Sequence, residues 1–138
     1  VRPLLALAVT AAGVVGAVAL APVVSADSTT PAPPYIEDVE WAKWGDLSSL
    51  RVYPTESGRQ AAGMASQIGP DEAWAEVLAL SPDADLPGMR AQFVCHWYYA
   101  ELAEPGKSSW NLEPWRPEVS DDAMAYAGCN PGGTEEPF

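Results

Sequence analysis

The residues able to do chemistry crowd into positions 92–131 of this 138-residue chain, which hold both cysteines, the only histidine and three of the six tryptophans. Two motifs stand there, Cys95-His96-Trp97-Tyr98-Tyr99-Ala100 and Trp110-Asn111-Leu112-Glu113-Pro114-Trp115-Arg116-Pro117. A lone His96 excludes every zinc site built on two histidines. With Cys95 and Cys129 paired no other zinc set is left, so no metal and no cofactor is expected. His96 can still act as a general acid or base, oriented by Glu113 or Glu101, with a serine or water as nucleophile. Against that, no Gly-x-Ser-x-Gly elbow or other nucleophile motif accompanies it, and a lone histidine beside a disulfide serves more often as a hydrogen-bonded structural group. No catalytic residue is therefore assigned, and His96 and Glu113 are the candidates. Two carboxylates flanking a sugar bond would make a glycosidase, but among 19 acidic residues such a pair arises easily by chance. Trp110 and Trp115, flanked by Asn111, Glu113 and Arg116, offer flat apolar faces beside hydrogen-bonding groups, which sugar rings or a protein partner require. The competing reading has these rings closing a core too small to close itself.

The elements that must position these groups are legible from periodicity. Positions 36–44 and 47–53 read as two short strands joined at Gly45-Asp46, with Leu50 and Val52 on one face and Arg51 and Tyr53 on the other. Pro54 ends the second strand, since it cannot donate to a ladder. Ser57 and Gln60 fit a capping box, and Ala61, Met64, Ala65 and Ile68 follow at helical spacing up to a stop at Gly69. Pro70, Asp71 and Glu72 open a second helix, striped by Trp74, Val77 and Leu78 and ended by Ser81-Pro82. Asp83 and Asp85, ahead of Gly88, lack the further oxygens of a calcium loop and read as a turn. Residues 87–103 show helical spacing at Met89, Phe93, Trp97 and Ala100, beside a strand-favouring run at 93–99. Length and the Ala100-Glu101-Leu102-Ala103 ending favour a helix, with Phe93 and Trp97 facing the core and His96 beside Tyr99 on another side. Pro114 and Pro117 exclude a helix interior for 110–117, which is expected to be an extended or turn-rich segment laid across the domain. Ser120 caps a short helical turn ended by Gly128, after which Cys129 pins the tail back to Cys95.

Residues 1–26 have the three parts of a secretory signal peptide: Arg2, an uncharged run over 4–21, and Val24-Ser25-Ala26 ahead of a cut before Asp27. The competing reading is a retained anchor, because the run approaches the roughly 20 residues that span a bilayer. Residues 27–34, rich in Ser, Thr and Pro, read as a linker, and 35–138 as one small domain. Outside the cell the two cysteines are expected to form a disulfide. Residues 27–138 keep all 19 carboxylates and lose only Arg2 among the seven bases, a formal charge of about −13. Such a surface repels phosphate backbones and anionic lipid, so nucleic acid is disfavoured as a partner and no stable membrane insertion is expected after cleavage.

Met89-Arg90-Ala91-Gln92-Phe93-Val94-Cys95-His96-Trp97, the tryptophan–proline octet and Cys129-Asn130-Pro131-Gly132-Gly133 resemble the signature of an actinobacterial secreted family known as domain of unknown function 2599. The octet is the most specific part. The resemblance implies export and a small domain with paired cysteines, and it implies no reaction. The expectation is an α+β domain with an antiparallel hairpin or small sheet, short helices and one disulfide. It would serve as a secreted, non-enzymatic binding module, with Trp110, Asn111, Glu113, Trp115 and Arg116 on an aromatic surface and cell-wall glycan or an extracellular protein as partner. The alternative is a small secreted hydrolase or antibacterial effector using His96 with a nearby carboxylate.

Overall fold

The computed structural model describes residues 29–133, together with the isolated positions Gly13, Gly16, Leu20 and Ala21. The remainder of the expected signal segment, the first two residues of the expected linker and the acidic end at 134–138 lie outside the described residues. Among those described, no helix is long and apolar enough to cross a membrane.

Strand β1 (Ile36–Trp44) pairs antiparallel with β2 (Leu47–Pro54) through a turn in which Gly45 takes the positive φ of 56° that tight hairpins favour. The extended octet supplies β3 (Trp110–Leu112), which pairs with the other side of β2 and gives the order β1-β2-β3. Alternation then sorts the side chains. Val39, Val52 and Trp110 form one rung of the inner face, and Trp41, Leu50 and Leu112 the next. Ser49, Arg51 and Asn111 fall on the opposite face by the same alternation.

Four α-helices lie among the described residues, α1 (Glu56–Gly63), α2 (Asp71–Leu80) and α3 (Met89–Ala103) before β3 and α4 (Asp121–Tyr126) after it. α2 lies against β1 and α3 against β3, so the core sits between the sheet and these helices. Phe93 is its centre, with ring centroids 5.5 Å from Trp74, 6.2 Å from Trp97 and 6.0 Å from Trp110. The Trp97 indole N–H donates to the Ile68 carbonyl at 2.9 Å, which satisfies the polar end of a fully buried ring. The fold is the small α+β domain expected, stapled by a Cys95–Cys129 disulfide with Cα atoms 5.6 Å apart.

α1 departs from the expected boundaries. Its cap is Thr55, whose hydroxyl accepts from the Gly58 amide at 2.9 Å, and it ends at Gly63 instead of running to Gly69. Ser57 is occupied elsewhere: it exchanges two hydrogen bonds with the Ala32 backbone, while Thr55 Oγ1 donates to the Pro34 carbonyl at 2.8 Å. These bonds fasten residues 32–34, the end of the expected linker, to the start of α1. Gly58 permits the approach, since a Cβ there would lie 2.1 Å from the Tyr35 carbonyl oxygen.

Two carboxylates anchor α2 and its exit. Glu76 Oε2 accepts from the amides of Tyr35 and Ile36, both at 2.7 Å, tying α2 to the start of β1. Burial, and then the Glu72 and Glu76 charges, push the Tyr35 hydroxyl above its ordinary value. At the other end Trp41 Nε1 donates to Ser81 Oγ at 3.1 Å, and Ser81 Oγ donates to Asp83 in the short 3₁₀ turn Pro82–Ala84. That Ser81 bond is the main influence holding the Asp83 carboxyl below its ordinary range.

Candidate functional site

The octet turns inward after β3. Glu113 and Arg116 have no exposed side-chain surface and form an ion pair, with Arg116 Nε donating to Glu113 Oε2 at 2.6 Å. Glu113 Oε1 accepts from Ser49 Oγ at 3.0 Å. Arg116 Nη1 donates to the carbonyls of Pro131 and Gly133, at 3.1 and 2.9 Å. The Gln92 amide, on α3, completes the arrangement: its Nε2 donates to the Glu113 carbonyl and its Oε1 accepts from the Glu113 amide, both at 2.9 Å. One carboxylate, one guanidinium and one carboxamide therefore join β2, α3, the end of β3 and the C-terminal turn. A buried charge pair is tolerated only when its remaining lone pairs and protons are satisfied in this way.

This placement removes most of the octet from contact with a ligand. Trp110 lies fully buried under Phe93 and Trp97, and Asn111 is buried, with Ser109 Oγ donating to its Oδ1 at 2.9 Å. Of the five residues expected on an aromatic surface, only Trp115 is partly exposed, and the Arg116 guanidinium stacks over its ring at 4.5 Å. The indole N–H groups of Trp110 and Trp115 are buried without a hydrogen-bond partner among the described residues.

His96 is buried on α3, and its Nδ1 lies 2.8 Å from the Gln92 carbonyl one turn back. It lines a cavity of about 110 Å³ with Tyr99, Glu104, Lys107, Cys129 and Asn130. Both carboxylates named as its partners are held by other groups. Glu113 is engaged by Ser49 and Arg116, whereas Glu101 accepts from Arg59 at 2.7 Å and from the Gly106 amide at 3.1 Å.

Helix α3 has a second apolar side. Met89, Phe93, Trp97 and Ala100 are buried towards the sheet, but Ala91 and Val94 are only half-buried, and Tyr98, Tyr99 and Leu102 are 40%, 48% and 75% exposed. Between this side and residues 118–124 run two adjoining depressions of about 260 and 380 Å³, which share Ala91, Val94 and Asp121 in their walls. Cys95, Tyr98 and Met124 line the first alone, and Leu86 and Gly88 the second alone.

The sequence pattern described as protein of unknown function (DUF2599) matches residues 36–132. The chain belongs to the DUF2599 family. Uncharacterised proteins of Mycobacterium bovis and Mycobacterium tuberculosis are each 60% identical to it over 106 residues, covering 77% of this chain and 72% of theirs. An uncharacterised protein of Mycobacterium leprae is 46% identical over 102 residues, covering 74% of this chain and 83% of its own. No solved structure matches.

The DUF2599 match spans the Glu113–Arg116 pair, the disulfide and the α3 groove together. Sequence reasoning missed two residues of this region. Gln92 sits three residues after Met89 and one before Phe93, within the buried stripe of α3, and a polar side chain at a core position signals a long-range hydrogen bond. Leu102 was visible only as part of the helix ending, although with Tyr98 it falls at i, i+4 on the side opposite Phe93 and Trp97.

Proposed function

We propose that this DUF2599 protein is an exported, non-enzymatic binding module that meets its partner through the outward side of α3. One observation carries the reading: a helix already packed on the core keeps a second apolar side, from Ala91 and Val94 to Tyr98, Tyr99 and Leu102, in contact with solvent. Export rests on the signal-like residues 1–26, and the disulfide is compatible with an oxidising exterior. Of the two partners expected, an extracellular protein suits this surface better than cell-wall glycan. Its floor is aliphatic, built from Ala91, Val94 and Met124, whereas sugar recognition needs convergent polar groups beside the aromatic rings.

The test is to follow backbone amide shifts of the isotopically labelled protein while adding, separately, soluble wall fragments and proteins exported by a mycobacterial culture. Shifts confined to Ala91, Val94, Tyr98, Tyr99, Leu102 and Met124 are expected. Shifts centred on Trp115, or none with either addition, contradict the reading.

A hydrolase remains the second reading because His96 lines a cavity beside Tyr99, Lys107 and Asn130. It requires that His96→Ala abolish turnover of whatever ester, amide or glycoside the protein cleaves while leaving its thermal transition in place. Equal turnover by wild type and variant eliminates it.

A further inference from the structure

We infer that the groove beside α3 takes a cationic polypeptide segment anchored by an apolar side chain, an inference that rests on the binding role proposed above. The two depressions adjoin, with Ala91, Val94 and Asp121 in the walls of both, and from Gly88 to Tyr99 the helix advances about 16 Å, enough for several residues of an extended or helical segment. The floor accepts apolar side chains: Val94, Cys95 and Met124 lie beneath, and Tyr98 and Tyr99 form one wall. The rim has the opposite character. Glu118 and Asp121 border the groove, Asp122 stands exposed next to Asp121, and the one base lining it among the described residues, Arg90, is paired at 2.5 Å with Asp71. A partner that places Leu or aromatic side chains on the floor and Lys or Arg at the rim satisfies both features at once.

Charge also decides against the other occupants. A second copy would bring its own Glu118 and Asp121 against these and add to the repulsion between two chains of net charge −12. An anionic lipid surface meets the same barrier.

The experiment titrates the purified protein with a short peptide carrying Leu at helical spacing and Lys elsewhere. Alongside it run the Glu-for-Lys peptide, the Ser-for-Leu peptide and a neutral wall oligosaccharide, with affinity and amide shifts read together. The Lys–Leu peptide should saturate with shifts at Ala91, Val94 and Tyr98, and the Glu and Ser peptides should not. The exposed charge reversal Glu118→Lys, outside any helix, should weaken binding severalfold without moving the thermal transition, and raised salt should weaken it in the wild type. Val94→Asp, at the floor, is a second variant expected to lose binding. Equal binding of the Lys and Glu peptides at the groove overturns the charge inference but leaves the binding face standing. The same holds if only the oligosaccharide shifts these amides, or if they shift with protein concentration alone, which assigns the groove to a second copy. No shift there with any of these additions overturns the inference, and the role on which it rests falls with it only if exported proteins also leave these amides unmoved.

Discussion

Glu113 and Arg116 show what a pair of opposite charges does when it is taken wholly out of water. Keeping the pair adds little net stability, but halving it leaves an uncompensated buried charge. Arg116→Leu strands the Glu113 carboxylate and removes the donors to the Pro131 and Gly133 carbonyls. The expected cost is about 3 to 5 kcal/mol by urea unfolding at neutral pH. A loss below about 1 kcal/mol, the range of surface ion pairs, would mean that the side chains are solvated after all. Two other residues set a pH window. The folded-state Asp83 carboxyl lies below its ordinary 3.8, so its contribution is present above that pH and is lost as pH falls through the lowered value. The Tyr35 hydroxyl lies above its ordinary 10.0, so its contribution is complete below that pH and is lost as pH rises through the raised value. Melting temperature followed across pH should therefore decline at both ends. Asp83→Asn should flatten part of the acid limb and Tyr35→Phe part of the alkaline one, and limbs unchanged by these substitutions would refute the assignments.

At the scale of elements, the close approach of residues 32–35 to α1 makes a prediction opposite to simple helix propensity. Ala in place of Gly58 would favour a helix interior by about 1 kcal/mol in isolation. Here its Cβ would stand 2.1 Å from the Tyr35 carbonyl oxygen and 2.9 Å from the carbonyl carbon, both backbone atoms that cannot swing aside. Gly58→Ala should therefore lower the melting temperature, and a variant of equal or higher stability would show that the 32–35 segment is free to leave α1. The hairpin and α2 were legible from local pattern, through alternation around Gly45-Asp46 and the Pro70 start with its acidic turn, whereas for α3 the Met89, Phe93, Trp97 spacing competed with a strand-favouring run and only length and the Ala100–Ala103 ending decided for a helix. α1 was misread because Thr55 and Ser57 are both good caps, and only the distant Ala32 decides which of them is free to cap. The third strand was read only as an extended or turn-rich segment without a partner, since pairing with β2 joins Leu50 to Leu112 across 62 positions that no local pattern spans.

Across the whole molecule the disulfide and the buried polar cluster hold the same region, the C-terminal segment against α3. Cys95 and Cys129 are 34 positions apart, and in the chain-entropy model such a loop contributes about 3 to 4 kcal/mol. Cys95→Ala/Cys129→Ala should lose that much in reversible denaturation, and an unchanged midpoint would show that the cluster alone holds the segment. The candidate site was half legible. The residue types of the octet were recognised as unusual, but Trp, Glu and Arg are equally suited to a ligand surface and to a satisfied interior, and only burial separates the two. The exposed side of α3 was overlooked because Tyr98 and Leu102 read as ordinary members of an apolar helix until the core claimed the other face. The most direct measurement compares Tyr98→Ser/Leu102→Ser with Trp115→Ala, both verified as folded, in titrations with the Lys–Leu peptide. A loss of about tenfold or more in the double variant, with Trp115→Ala binding as wild type, is the result expected for a module that docks through α3. Binding lost on Trp115→Ala and kept by the double variant would return the site to the tryptophan–proline octet.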